Sequence, residues 1–286
     1  MTAKDTFFQT KKTLRVGGKI IDLSIPKVMG ILNLTPDSFF KDSRIQTEKQ
    51  LLQEAEKMLT EGADFLDLGA YSSRPGATDI SSEEEEKRLI PAVKQIAKTF
   101  PEALLSIDTF RASIAEKAIE NGAHLINDIS GGNRDTELFK TVGRLKVPYI
   151  LMHIKGTPQN MATHNQYENM IQEICFYFSE KIESLKQAGV NDIILDPGFG
   201  FAKDITQNFE LLKHLHDFHF LGLPILAGLS RKSMIWKSLN ILPEQALNGT
   251  TVLNTLAIHA GASILRVHDV KEAKECIKLS ALLNAN

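Results

Sequence analysis

Residues 104–128 read Leu104-Leu-Ser-Ile-Asp108-Thr-Phe-Arg111-Ala-Ser-Ile-Ala-Glu-Lys-Ala-Ile-Glu120-Asn-Gly-Ala-His-Leu125-Ile-Asn127-Asp128. An apolar run, Leu104 to Ile107, ends in an acid. An amphipathic stretch, Arg111 to Glu120, follows it, and a second run, Leu125 and Ile126, ends in Asn127-Asp128. Short runs separated by a helix are parallel strands with a crossover, because a tight turn can only reverse the chain. The pattern repeats outward in both directions. The other runs are Val28 to Leu32, Phe65 to Leu68, Tyr149 to Met152, Ile193 to Leu195, Pro224 to Ala227 and Ile264 to Val267. Further helical stretches are Glu48 to Thr60, Glu83 to Lys98 and Gln166 to Lys186. A doubly wound open sheet is compatible with this alternation, but eight units in 286 residues suit a closed (β/α)8 TIM barrel better. Ahead of them, Leu14 to Leu23 places two apolar runs around Gly17-Gly18 and predicts an N-terminal β-hairpin.

Nearly every run ends in a polar group: Asn33, Tyr71-Ser72-Ser73-Arg74, Asp108, Asn127-Asp128, His153, Asp196, Ser230-Arg231-Lys232 and Arg266-Val267-His268. Active residues of such barrels sit at the C-terminal ends of the strands, on one face. Polar residues close strands in any fold, but this mixture of acids, amides and cations goes beyond what solubility requires.

Composition narrows the function classes. Lys+Arg number 33 against Asp+Glu 35, a net charge of −2, which argues against a nucleic-acid binder relying on a global basic field. Cys175 and Cys276 form neither a disulfide framework nor a zinc spacing, and a reducing compartment suits them. No apolar run approaches a membrane span, and Met1 to Lys12 lacks the apolar centre of a signal peptide, so the expected location is the cytoplasm. Without a linker or low-complexity segment, one continuous domain is expected over 1–286, with an extension and hairpin over 1–25 and a barrel from about 27 to 284.

Six segments, in order, resemble the signatures of dihydropteroate synthases. They are Met29-Gly-Ile-Leu-Asn33-Leu-Thr-Pro-Asp37-Ser-Phe39, Leu105-Ser-Ile-Asp108-Thr, Ile126-Asn127-Asp-Ile-Ser-Gly, Leu195-Asp196-Pro-Gly-Phe-Gly-Phe201, Gly228-Leu-Ser-Arg-Lys232-Ser233 and Leu265-Arg266-Val-His268-Asp-Val. The resemblance implies an alkyl transferase of folate synthesis that joins 4-aminobenzoate to a dihydropterin methyl diphosphate, releasing diphosphate. It also implies a magnesium ion with Asn33 as its protein ligand, a pterin pocket that includes Met152, and a homodimer.

The residue chemistry is consistent with those roles. A carboxylate can accept two adjacent N–H groups of a pterin edge, which suits Asp196, with Asn127 at the neighbouring ring position. Asp108 could accept from the ring or oppose positive charge developing on it, although an Asp-Thr pair before a helix also makes a good cap. Arg266 and His268 lie two apart, project to one side and offer donors to a diphosphate. Asp269 could instead make Arg266 a structural ion-pair partner. Lys232 can reach a pterin carbonyl. Ser233, at the start of the next helix, suits the 4-aminobenzoate carboxylate or serves simply as an N-cap. The expected reaction is a dissociative substitution at the methylene carbon, with no evident general base.

Two loops, Thr35 to Arg44 and Ser72 to Thr78, follow the first two strands and have the composition of lids. Phe39, Arg74 and Pro75 are expected near 4-aminobenzoate or diphosphate, and Ser73 near the pterin diphosphate. The loops depart from the family pattern at Phe40-Lys-Asp-Ser and at Tyr71, where the family often has an acid. Glu83 to Glu86 after Ser81-Ser82 reads as a helix start with a capping box. His214, His216 and His219 do not share one helical face and read as a solvated helix surface rather than a metal cluster. Two rivals remain at this stage. A pterin-dependent methyltransferase would not need the Ser230–Ser233 element, and a non-catalytic pterin-binding protein is favoured only by the altered loops.

Overall fold

The computed structural model describes residues 10–34, 44–72, 79–157 and 159–284. The hairpin comes first, with β1 (Thr13–Val16) antiparallel to β2 (Lys19–Asp22). Its turn residues Gly17 and Gly18 take φ of 55° and 75°, the left-handed pair that a two-residue turn between twisted strands requires. Eight parallel strands follow: β3 (Lys27–Asn33), β4 (Phe65–Gly69), β5 (Leu105–Asp108), β6 (Leu125–Asp128), β7 (Tyr149–Met152), β8 (Ile193–Asp196), β9 (Leu226–Ala227) and β10 (Ile264–Val267). From β3 to β8 each pairs with the next in sequence, and β10 pairs with both β3 and β9. The ring is completed where the Leu195 amide of β8 donates to Pro224 O at 2.9 Å and Leu195 bridges Ile225. This is a (β/α)8 barrel.

The helices between strands are α1 (Arg44–Thr60), α2 (Ser82–Thr99), α3 (Ala112–Glu120), α4 (Leu138–Leu145), α5 (Met170–Gln187), α6 (Ile205–Lys213), α7 (Ser233–Leu239), α8 (Leu247–His259) and α9 (Val270–Asn284). The anticipated start of α5 at Gln166 is corrected to Met170, because Asn169 accepts from the Gln172 amide and caps the helix there. Ser81 caps α2 by accepting from the Glu84 amide at 3.2 Å, the helix start expected there, without the reciprocal bond of a capping box, and Glu85 in the first turn is fully buried.

Alternation along each strand sorts its side chains into two populations. Val28, Leu66, Leu68, Leu105, Ile107, Leu195, Leu265 and Val267 face outward into the layer shared with the helices. Met29, Phe65, Leu125, Ile150, Ile194, Leu226 and Ile264 face inward and pack against Leu14, Val16 and Leu23 of the hairpin. The hairpin therefore closes the N-terminal end of the barrel with apolar side chains. The next inward position on each strand, one pleat further along, lies at the open C-terminal end. Asp67, Asn127, Asp196 and Arg266 occupy four of those positions, and Met152 and Gly228 two others.

Candidate active site

Asn33, Asp108, Asn127, Asp196 and Arg266 belong to the strands themselves, as last or next-to-last residues. Asn127, Asp196 and Arg266 each share an inward face with an apolar residue two positions earlier, Leu125, Ile194 and Ile264, so on these strands the seal at the bottom of the barrel and the chemistry at its top are set by one periodicity. Asp108, Asn127, Met152, Asp196, Lys232 and Arg266 line a single cleft with Ile129, Phe199, Phe201 and Gly228. Gly228 has open space where a Cβ would stand, which keeps one wall of the cleft flat.

The centre of the cleft is an ionic network around a residue that the sequence reading missed. Asp67, the middle of β4, is fully buried and accepts from Arg266 Nε at 2.7 Å, from Asn127 Nδ2 at 3.0 Å and from the Ser106 hydroxyl. Arg266 Nη2 reaches Asp108 Oδ2 at 3.0 Å. The alternative pairing of Arg266 with Asp269 is not formed; Asp269 instead takes two bonds from Arg231, at 2.9 and 2.8 Å. Nor does Asp108 cap the following helix, since Asp135 Oδ2 accepts from the Ala112 amide at 2.7 Å. Asp108 leans over Gly69, where any Cβ would press on its side chain at 3.2 Å. Burial pushes the Asp108 carboxyl up to about 7 against the attraction of Arg266, and Asp67 adds repulsion.

Asn127 is the most informative group. With its amide nitrogen committed to Asp67, its buried Oδ1 has no partner among the described residues. An unpaired acceptor in a buried wall is costly unless a ligand donor meets it. In the same cleft Asp196 is buried and, among the described residues, accepts only the Gly198 amide, at 2.8 Å, which leaves lone pairs for adjacent N–H groups. Burial raises its pKa, while Gly198, Lys232, Arg266 and Lys203 pull the other way. Lys232 lies with Nζ 4.4 Å from the Phe201 ring centroid, and burial lowers it to about 8. Lys232 is itself the N-cap of α7, so the capping role considered for Ser233 is corrected. Ser233 is the first helical residue, half-buried, and its hydroxyl is unpartnered among the described residues.

His268 lies at the mouth, exposed on its outer side, with its backbone N–H donating to Ser230 Oγ at 3.1 Å. The barrel rim walls off part of its solvent, and Arg266, Arg231 and Lys232 crowd it, so the imidazole is held below its ordinary pKa and is neutral at pH 7. Asn33 ends β3 next to Gly69, half-buried, with Asp108 one strand further on. Phe39, Ser73, Arg74 and Pro75 lie outside the described residues. Met152 is buried in a small apolar cluster with Ile129, Ile154 and Phe201 at the top of the barrel.

A second buried cation also escaped the sequence reading. Lys203 donates to His153 Nδ1 at 3.1 Å, to Gly198 O at 3.1 Å and to Phe201 O at 3.0 Å, tying the loop after β8 to the exit of β7. Tyr71, where the family often has an acid, is buried with its ring edge-on to Phe110 at 5.0 Å. Its hydroxyl accepts from Arg134 Nη1 at 3.0 Å and Gln159 Nε2 at 2.6 Å. A phenol oxygen thus provides an acceptor for a cation at this position without a formal charge. The three histidines do not form a solvated helix face: His214 caps α6, while His216 and His219 lie in the turn at Leu215–Leu221. His219 is half-buried against Thr10 Oγ1 at 2.8 Å. Among the described residues no group of three His, Cys, Asp or Glu could hold a metal.

Residues 29–268 match the family described as pterin binding enzyme. The chain is 40% identical over 264 residues to the dihydropteroate synthase of Escherichia coli K12, covering 92% of this chain and 93% of that one. It superimposes on the dihydropteroate synthase of Yersinia pestis, solved in complex with a sulfonamide drug, with a TM-score of 0.89 at 39% identity, covering 96% and 100% of the two chains. The enzyme of Xanthomonas albilineans, solved with 4-aminobenzoic acid, gives a TM-score of 0.90 at 36% identity, covering 97% and 100%.

Proposed function

The chain belongs to the pterin binding enzymes and, among them, to the dihydropteroate synthases; from that membership we propose that it joins 4-aminobenzoate to the methylene carbon of a dihydropterin methyl diphosphate, giving dihydropteroate and diphosphate. The observation that carries this reading is the pairing of Asp196 with the unpartnered Asn127 Oδ1 in one cleft that also holds Lys232 and Arg266. Two acceptors in one cleft suit the adjacent N–H groups of a pterin edge, and Lys232 and Arg266 are the cations in that cleft available to its carbonyl and diphosphate.

In this reading Asp196 and Asn127 orient the ring and Met152 covers one of its faces. Lys232 donates to the pterin carbonyl. Arg266, held by Asp67 and Asp108, keeps Nη1 for a diphosphate oxygen, and His268 adds a second donor. Charge leaving with the diphosphate is met by groups already in place. Positive charge developing on the ring faces Asp108. Ser233, with Phe39, Ser73, Arg74 and Pro75 from the two loops, holds 4-aminobenzoate and the diphosphate so that the aniline nitrogen approaches the methylene carbon.

Magnesium fits this site only as a guest of the diphosphate. Asn33 supplies one hard amide oxygen at the strand end, and the described residues offer no carboxylate cluster that would bind the ion without a substrate. When bound, the ion would neutralise charge on the leaving oxygens. We also propose a homodimer formed through α8 and α9, which expose Val252, Leu256, Leu279, Leu282 and Leu283. We assign the reaction to the cytoplasm, a reducing environment that suits the free Cys175 and Cys276. Incubation of the purified chain with the pterin diphosphate, magnesium and 4-aminobenzoate tests the activity. Diphosphate release that depends on 4-aminobenzoate, with dihydropteroate identified by mass, is expected; pterin binding without release would refute it.

A further inference from the structure

Ser230 and His268 make two contacts through a single oxygen. The backbone N–H of His268 donates to Ser230 Oγ at 3.1 Å, and the same Oγ lies 3.1 Å from His268 Nδ1. Ser230 is buried, and among the described residues His268 Nδ1 is the one acceptor within reach of its hydroxyl hydrogen. A buried hydroxyl left without an acceptor costs about 1–3 kcal/mol. One lone pair is already used by the backbone N–H, so the arrangement that satisfies every group has the hydroxyl donating to Nδ1. An Nδ1–H ring would reverse that bond and strand the hydroxyl hydrogen.

We infer that Ser230 is a positioning residue that fixes His268 as the Nε2–H tautomer, so that the free edge of the ring presents a donor to the leaving diphosphate. The part of this inference that concerns diphosphate rests on the reading proposed above. The tautomer itself rests on the two contacts alone. A neutral ring is required, and the cations Arg266, Arg231 and Lys232 around it oppose a second proton, with Asp269 the one facing group that favours it. The backbone holds the donor and acceptor of Ser230 in register. Arg231, in the left-handed region at φ 52°, anchors the segment through Asp269, Glu244 O at 3.0 Å and the Thr250 hydroxyl at 3.0 Å. The loop after β9 and the turn after β10 are thereby joined on both sides of the Ser230–His268 contact.

Neutral His268 has two alternatives. With Nε2–H it donates to a phosphate oxygen, which is an acceptor in every protonation state it has near pH 7. With Nδ1–H it would turn a lone pair toward that oxygen and repel it. The hydroxyl therefore decides the sign of the contact without touching substrate.

Imidazole ¹⁵N spectra of the full chain at about pH 7 read the tautomer directly, with His268 identified by its loss in His268→Gln. A pyrrole-type Nε2 and a pyridine-type Nδ1 are expected in the unaltered protein. Ser230→Ala is expected to release the ring into a mixture, and Ser230→Thr, which keeps the hydroxyl, to restore the single tautomer. The inhibition constant of diphosphate is expected to rise about tenfold in Ser230→Ala and to recover in Ser230→Thr, with the KM for 4-aminobenzoate unchanged. An Nδ1–H ring in the unaltered protein overturns the inference, as does a tautomer indifferent to Ser230→Ala or a diphosphate inhibition constant that Ser230→Ala leaves unchanged. Should the unaltered protein neither release nor bind diphosphate, the proposed function fails, while the spectra still decide the tautomer.

Discussion

Arg266 and Asp67, on the two strands that flank β3, meet with Nε 2.7 Å from Oδ2 and the Asp67 carboxylate fully out of solvent. The pair orders the cleft in two directions, because the same carboxylate holds the Asn127 amide and thereby sets which Asn127 atom is left for substrate. Removing one member of a buried pair leaves an uncompensated charge and costs about 3–5 kcal/mol. Asp67→Ala is therefore expected to lower the denaturant midpoint sharply. Asp67→Asn, which keeps the shape, should fold and yet lose about 100-fold in kcat/KM, since Arg266 and Asn127 lose their common anchor. Retention of full activity by Asp67→Asn would show that the network only stabilises the fold.

The recognition pair is tested separately. Asp196→Asn replaces an acceptor by a donor that opposes the pterin N–H groups. Asn127→Ala removes the unpaired Oδ1 altogether. Calorimetry with a dihydropterin is expected to show a loss of about 100-fold or more for the first and a smaller loss for the second. The KM for 4-aminobenzoate should move much less in either. Equal losses for both substrates would place Asp196 and Asn127 outside the pterin contacts.

Much of this site was legible because strand period and chemistry coincide. Asn33, Asp108, Asn127 and Asp196 each end an apolar run and Arg266 stands next to the end of one, and the alternation that buries Leu125 also turns Asn127 inward. Asp67 carried a signal of its own, a single acid inside Phe65-Leu-Asp67-Leu-Gly69, a run too apolar to leave a charge unpaired. Its partner is 199 residues away in sequence, and no local pattern names it. Lys203 gave less: it follows a glycine-rich loop as a surface lysine would, and only the fold brings His153, Gly198 O and Phe201 O around it. The histidine cluster misled because the helix ends at Lys213 and a tighter turn continues.

Lys203 predicts a pH dependence of stability. Burial pushes its ammonium from the ordinary 10.5 down to about 7, with Lys232 and Lys155 adding repulsion and Asp196 opposing the shift. Between those values the unfolded chain holds a proton that the folded chain has released, so stability rises with pH through that window. Below about 7 both states hold the proton and the fold carries the full cost of a buried cation. Lys203→Met should remove this slope. The difference in Tm between the two proteins, followed from about pH 6 to pH 10, is expected to move in favour of the unaltered chain as pH rises. Parallel curves would mean that Lys203 keeps its charge throughout.

Tyr71 tests whether a neutral acceptor replaces the family's acid. Its hydroxyl takes bonds from Arg134 and Gln159, while its ring packs on Phe110. Tyr71→Phe keeps the ring contact and leaves the two donors without that oxygen. A stability loss of about 1–2 kcal/mol is expected from chemical denaturation. No change in pterin affinity should accompany it, because Tyr71 does not line the cleft. A loss of pterin affinity in Tyr71→Phe would instead connect Arg134 to the pterin pocket.

The proposed dimer rests on two helices. Val252 and Leu256 are one turn apart on α8, and Leu279, Leu282 and Leu283 share a face of the adjacent α9. All five are at least half exposed, with Leu283 at 72%. A contiguous apolar patch on paired helices is poorly suited to water, and a second copy of the same face is the symmetric way to cover it. Leu256→Glu should therefore halve the mass measured by light scattering at micromolar concentration. The barrel fold should survive, since this side chain makes no contribution to the buried core. Activity measured on that monomer then separates assembly from chemistry: the cleft is built from one chain, so pterin binding should persist. A monomeric mass in the unaltered protein would refute the dimer outright.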